Sequence, residues 1–230
     1  MAESLRITAA SDFHGSLDLI EYVANTAIQF KSDLLLFPGD ICGYGHDPYL
    51  SECLSYLRHL AEKIPIVLTP GNHDYWEPTL QGMIVPDTSD VDFSNMSLGT
   101  VICLIDQSIM FRGFRIYGSP WTPLFNDWNW MKPVAELTFD IPHNIHILLT
   151  HSPPYGMADY ADGVRIGSEA LERAVKKLPD LKLHVFGHNH TDAGWRFGRD
   201  SSSPIFANVA GCDNFLRPAI QGVLNVELTL

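Results

Sequence analysis

Eight residues of this chain combine the types and spacing that metal chemistry needs: Asp12, His14, Asp40, Asn72, His73, His151, His188 and His190. All stand at or just past the ends of short apolar runs. Ile64-Pro65-Ile66-Val67-Leu68-Thr69, for example, leads into Pro70-Gly71-Asn72-His73-Asp74. A short β-branched run closed by Pro-Gly reads as a buried strand, and open α/β sheets bind ligands beyond the carboxyl ends of their strands. Taken alone, this block is equally a turn capped by Asn and Asp. Recurrence favours the functional reading. Ser11-Asp12-Phe13-His14-Gly15, Pro38-Gly39-Asp40, His151-Ser152 and Gly187-His188-Asn189-His190 repeat the arrangement, and five of the 10 histidines fall at these points. In an extended chain residues two apart share a side, so Asp12 with His14 and His188 with His190 can each serve one site. Imidazole nitrogen, carboxylate oxygen and amide oxygen suit Mn, Fe, Zn, Co or Ni, and the lack of cysteine disfavours structural zinc or iron–sulfur. The donors are too many for one tetrahedral ion. They fit two ions about 3.5–4 Å apart that share a carboxylate, clamp a phosphate and activate a water.

The elements that must position these residues follow from periodicity. Leu5 to Ala10 and Leu34-Leu35-Leu36-Phe37 read as strands. Ser16 caps a helix with Ile20, Val23, Ala24, Ala27 and Ile28 on one face, and Asp47-Pro48 starts a second helix with Leu50, Cys53, Leu54, Leu57, Leu60 and Ala61. With the run at 64–69 this is strand-helix-strand-helix-strand, a parallel sheet with crossover helices. Thr79 to Leu98 reads as a long irregular loop. Val101 to Ile105, then Ile109 to Arg112 and Phe114 to Tyr117 about Gly113, read as strands, the last two as a hairpin. Ile145 to Thr150, Leu183 to Phe186 and Ile205 to Val209 are strands, Ser168 caps a short helix, and the tail reads as edge or antiparallel strands.

Composition bounds the function. The 230 residues are 46% hydrophobic with a formal net charge of −12, enough for a sizeable core and adverse to a broad nucleic-acid face. Bound divalent ions would still admit small phosphate substrates. Cys42, Cys53, Cys103 and Cys212 form no CxxC pair and read as reduced core residues. The N-terminus lacks the apolar segment of a signal peptide, and no stretch reaches the roughly 18 apolar residues of a membrane helix. A soluble cytoplasmic protein with no membrane partner is the expectation.

Taken together, Asp12-Phe13-His14, Gly39-Asp40, Gly71-Asn72-His73-Asp74, His151 and Gly187-His188-Asn189-His190 resemble the calcineurin-like metallophosphoesterases in order and spacing, over about residues 5–210. Tyr117-Gly118-Ser119-Pro120-Trp121-Thr122-Pro123, Leu149-Thr150-His151-Ser152-Pro153-Pro154 and Leu183-His184-Val185-Phe186-Gly187-His188 look closer still to the small metallophosphoesterase-domain (MPPED-type) branch. The resemblance implies one α/β domain over residues 1–230. Its fold would be a four-layer αββα sandwich of two mixed β-sheets flanked by helices, with a dinuclear metal site at the strand ends. It implies that Asp12, His14, Asp40 and His190 hold one ion, that Asp40 bridges, and that Asn72, His151 and His188 complete the other. His73 would be general acid or charge stabiliser, oriented by Asp74. The ions would be Mn or Fe first, then Zn, Co or Ni. The activity implied is attack of a metal-bridging hydroxide on small phosphate esters, phosphodiesters such as nucleotides ahead of monoesters. The Arg-bearing continuation of serine/threonine protein phosphatases is absent, since the chain reads Gly39-Asp40-Ile41-Cys42-Gly43-Tyr44-Gly45. A non-catalytic scaffold that binds a protein partner would show eroded ligands, and none is missing here.

Around these motifs, Phe13, Tyr75, Trp76, Trp121, Phe125, Trp128 and Trp130 are either an aromatic wall for a nucleobase or loop packing, with packing slightly favoured. Asn208 is a candidate to face the site. His46 reads as a surface residue, and His59, His143, His146 and His184 as structural. Asp192 and Asp213 read as turn residues.

Overall fold

The computed structural model describes residues 3–43, 50–79, 81–95, 99–198, 203–215 and 217–230. β1 (Ser4–Ala9), α1 (Leu17–Phe30), β2 (Leu34–Phe37), α2 (Leu50–Ala61) and β3 (Ile66–Leu68) form the opening crossover series. The three strands pair in parallel, as the alternation of strand and helix periods requires. The Ser16 hydroxyl caps α1 by accepting from the Leu19 amide, and Lys31 in a left-handed conformation ends it. The Asp47-Pro48 start expected for α2, and His46, lie outside the described residues. β3 is shorter than the 64–69 run because Pro65 and Pro70 bring no amide to a ladder.

Inside the stretch expected to be irregular, β4 (Val91–Asp92) pairs with β6 (Gln107–Phe111), after β5 (Val101–Cys103) has joined β3. β6 and β7 (Phe114–Ser119) form the expected hairpin about Arg112 and Gly113, both at positive φ, the two-residue turn whose twist matches antiparallel strands. β8 (Thr122–Pro123), β9 (Met131–Lys132), β10 (Ile147–Thr150), β11 (Tyr160–Ala161), β12 (Val164–Arg165), α3 (Glu169–Val175), β13 (Leu183–Phe186), β14 (Gly194–Phe197), β15 (Ile205–Asn208) and β16 (Leu224–Thr229) follow.

One sheet runs β16-β1-β2-β3-β5, the other β14-β15-β13-β10-β7-β6-β4. β16 and β14 are antiparallel edges, as the alternating tail suggested. β15 departs from that expectation: it lies inside the second sheet, parallel to β13. Its Phe206 and Ala207 are buried on opposite faces, the mark of a strand covered on both sides.

Side-chain alternation sorts the core into layers. Leu5, Ile7, Leu34, Leu36 and Val67 face Ile116, Ile147, Leu149, Leu183 and Val185 between the sheets. The opposite residues, Leu35, Phe37, Ile66 and Leu68, pack on α1 and α2 through Ile20, Val23, Cys53 and Leu57. On the far side Leu148, Phe186 and Phe206 pack on α3 through Leu171 and Val175. The result is helix, sheet, sheet, helix. Each buried Leu or Ile contributes about 1.5–3 kcal/mol, so this apolar stack stabilises the strand ends from which polar residues project. Among the described residues no helix is long and apolar enough to cross a membrane.

Candidate metal centre

β1 to β3 of the first sheet deliver Asp12, His14, Asp40, Asn72 and His73; β10 and β13 of the second deliver His151, His188 and His190. The extended alternation expected for Asp12/His14 and His188/His190 is not how they converge. Asp12 (φ 55°), His14 (φ 45°), Asp40 (φ 52°) and His188 (φ 69°) are all left-handed. That conformation costs an L-residue about 1–2 kcal/mol and persists where surrounding contacts over-determine it. Here the backbones of the two ends are tied together: the Asp12 amide donates to Gly39 O and the His14 amide to Asp40 O, both at 3.1 Å. The His188 amide donates to the Asp12 carboxylate at 3.1 Å. Gly71 and Gly187 permit the approach, since a Cβ on them would stand 2.2 Å from Asp40 Oδ1 and 2.1 Å from Asp12 Oδ2.

Donor atoms that share one first-row ion at bonds of about 2.0–2.2 Å stand roughly 2.8–3.6 Å apart. His190 Nε2 is 3.1 Å from Asp12 Oδ1 and 3.3 Å from His14 Nε2. His151 Nε2 is 2.8 Å from Asn72 Oδ1 and 3.3 Å from Asp40 Oδ2. His14 Nε2 lies 3.8 Å from Asp40 Oδ2, which links the two groups. The His151 Nδ1–H donates to the Pro38 carbonyl at 2.9 Å, which directs Nε2 at Asp40 and Asn72, the outer contact that sets a ligand imidazole's tautomer. Asn72 Nδ2 and His14 Nδ1 are buried without a hydrogen-bond partner among the described residues. Among the described residues three overlapping sets have donor atoms within 4.8 Å of one another: Asp12, Asp40 and His151; His14, Asp40 and His73; His14, His190 and Cys212.

Asp12 and Asp40 are almost wholly buried, and among the described residues only histidines pair with them. Burial opposes ionisation of Asp12, yet the His190 hydrogen bond and charge hold its carboxyl at about 2. Asp40 is held well below the carboxylate range against burial by His151, which rises to about 9 in return, its own burial outweighed by Asp40. Burial drops His188 to about 3 and lowers His14 and His73, favouring the neutral imidazole a metal needs. Two anionic, buried carboxylates, each facing a histidine whose pKa it raises (His190 at Asp12, His151 at Asp40), form a site where a cation can take the place of those protons, and the donor set fits divalent transition ions.

The calcineurin-like phosphoesterase family model matches residues 5–192. The chain belongs to that family. Metallophosphoesterase domain-containing protein 1 of Homo sapiens is 29% identical over 211 residues, covering 82% of this chain and 61% of its own length, so the chain spans about three fifths of that relative. A crystal structure from Thermus thermophilus superposes with a TM-score of 0.60 at 15% identity, covering 97% of this chain and 99% of the other. A dimetal phosphatase from Danio rerio superposes with a TM-score of 0.56 at 14% identity over 89% of this chain and 86% of the other. At such identities these structures speak to the fold.

In this calcineurin-like phosphoesterase an open cavity of about 590 Å³ adjoins the donors, lined by His73, His188, Thr122, Phe125, Trp128 and Asp162 among others. The Trp128 ring lies 4.6 Å from His73 and Phe125 lies 5.5 Å from His188. The other candidate aromatics have different tasks. Phe13 and Trp76 are core residues. Trp121 packs on Trp130 and its indole donates to Asp106, while the Trp130 indole donates to the Asp74 carbonyl. Trp121 is therefore scaffold for the loop.

Asp74 also differs from expectation. Its carboxylate accepts from the amides of Ile41, Cys42 and Gly71 and from the Trp76 indole, so it braces the loops rather than the His73 ring. Burial and then the Asp40 charge raise its carboxyl to about 7. Asn208 likewise turns from the cavity: its amide donates to Asn189 O and Ala158 O, holding the loop between the two terminal histidines. Sequence reading missed Cys212, whose sulfur lies 3.6 Å from both nitrogens of the His190 ring. The only signal was its place just past the β15 strand end. Asp213 is a turn residue that accepts from the Phe215 and Arg217 amides, and His59 is an exposed partner of Glu62.

Proposed function

We propose that residues 1–230 act as one domain, a dinuclear metal-dependent phosphodiesterase for small esters that carry an aromatic group, nucleotides or aryl diesters. Asp12, His14, Asp40 and His190 hold one divalent ion, Asp40 bridges, and Asn72, His151 and His188 hold the second, with Mn or Fe the expected metals. The observation that carries the reading is the convergence of these donors from five separate strand ends: His190 Nε2 stands 3.1–3.3 Å from Asp12 and His14, His151 Nε2 2.8–3.3 Å from Asn72 and Asp40, and His14 Nε2 3.8–3.9 Å from the two carboxylates, with the His188 ring beside His151. When bound, the two ions supply a nucleophile at neutral pH and neutralise charge on the phosphate.

The chain's own groups do the rest. His73 lines the cavity and donates to the leaving oxygen, as general acid when it carries a proton on both nitrogens and as charge stabiliser when neutral. Asp74 holds the turn that carries it. Phe125 and Trp128 stack the aromatic part of the ester, worth about 1–3 kcal/mol per ring. Diesters are favoured over monoesters because no lysine or arginine is among the described residues that line the cavity, and Asp162 is. A dianionic monoester pairs best with such cations, whereas a monoanionic diester can do without them. The net charge of −12 speaks against extended nucleic acid.

Metal analysis of the purified protein, then a panel of diesters and monoesters with Mn²⁺ and with a chelator, tests this. Two ions per chain, chelator-sensitive turnover and higher kcat/KM on diesters are expected. One ion at saturating metal, full turnover after chelation, or far higher kcat/KM on long nucleic acid would overturn it.

A further inference from the structure

A second opening adjoins the cavity. Pro123 and Ile166 line the cavity and also a groove of about 310 Å³ that runs on toward α3. The two compartments contrast in charge. The cavity has an aspartate and no cation among its described lining, whereas the groove is lined by Arg165 and Arg173 against one carboxylate, Glu169. In a chain of formal charge −12 with 15 Lys and Arg in all, two arginines about one groove are a local reversal of sign. A concave site with an excess of one sign concentrates ligands of the other.

The two guanidinium groups are held differently. Arg165 pairs through Nη1 with Asp159, which is wholly buried and also accepts from the Gly156 amide. That pair fixes the arm of Arg165 and leaves further donors of its fork toward the groove. Its guanidinium carbon stands 5.6 Å from the ring centre of Tyr155, an exposed aromatic on the same groove. Arg173 is a solvent-facing residue of α3 whose pair with Glu169 is exposed on both sides, so little is lost when it turns to another anion.

We propose that this groove is a subsite for a second anionic group on the substrate, read by Arg165 and Arg173, so that the enzyme prefers diesters that carry a further phosphate. A linear dinucleotide with a terminal 5′-phosphate is the simplest such molecule. Its scissile diester occupies the cation-poor cavity, one base stacks on Phe125 and Trp128, and the terminal phosphate reaches the groove. The proposal rests on the phosphodiesterase reading above.

The test compares a linear dinucleotide with and without a 5′-phosphate, in kcat/KM and in equilibrium binding to the metal-loaded chain. The wild type should favour the phosphorylated form about 10-fold or more, chiefly through KM and Kd. Arg173→Glu, on an exposed face, should fold and bring the preference near one. Arg165→Gln should do the same, with its melting temperature reporting any loss from the unpaired Asp159. Equal use of the two dinucleotides by wild type, or a preference that survives Arg173→Glu and Arg165→Gln, would overturn the subsite while leaving the phosphodiesterase intact. If neither dinucleotide nor an aryl diester turns over, the phosphodiesterase reading fails. The binding ratio then decides the subsite: a preference lost in the variants supports it, and no preference overturns it.

Discussion

His184 gives the most quantitative test of the electrostatics written into this fold. It is wholly buried on the outer face of β13, against Phe186 and Phe206. The Thr150 hydroxyl donates its proton to Ser152 O, so at 2.8 Å it must accept from His184 Nε2–H. Nδ1 is then the bare nitrogen, and it is buried with no partner among the described residues. A second proton would place a charged N–H among apolar side chains, and burial accordingly lowers the pKa from 6.5 to about 3. Below pH 6.5 the unfolded chain binds a proton that the folded chain refuses. Stability from this group is whole above that pH and drains away as pH falls toward 3. Between about pH 8 and about pH 5 the loss works out at about 2 kcal/mol, a Tm decrease of roughly 4–8 °C in a chain of this size. Urea unfolding of wild type and His184→Gln at both pH values isolates the contribution. The glutamine can still donate to Thr150 but does not titrate. It should be less stable at about pH 8, with a pH difference smaller than wild type's by about 2 kcal/mol. An identical pH difference in both proteins would refute the reasoning.

Asp40→Asn should lower the metal content from two ions toward none at limiting metal and lose more activity than substitution of either terminal ligand, because both donor groups meet at that carboxylate; elemental analysis with kinetics reads this directly. His73→Ala should keep both ions and a normal Tm while kcat falls about 10²- to 10⁴-fold, less with a nitrophenol leaving group. Loss of metal would instead make His73 a ligand with His14 and Asp40. Trp128→Ala should raise KM for nucleotides more than for small alkyl diesters, whereas Trp121→Ala should lower Tm through the lost Asp106 contact and leave the ratio of those KM values unchanged.

Residue type and local period determine much of this protein without any coordinates. The opening strand-helix-strand-helix-strand is legible because each run buries one face in a single period, and the donors are legible because polar, metal-binding types recur where apolar strands stop. Contacts between residues far apart in sequence decided the remainder. Left-handed turns at Asp12, His14, Asp40 and His188, held by bonds across more than one strand end, bring the donors to hydrogen-bond spacing; no periodicity encodes them. The same distance in sequence hides that Asp74 serves the backbone of Ile41 and Cys42, that Trp128 lies against His73 while Trp121 serves Asp106, and that Cys212 reaches His190. β15 reads as a tail strand until β13 is beside it, because parallel pairing depends on which neighbour covers each face. A side chain's type limits what chemistry it can do; which partner it meets is set by how the two sheets stack.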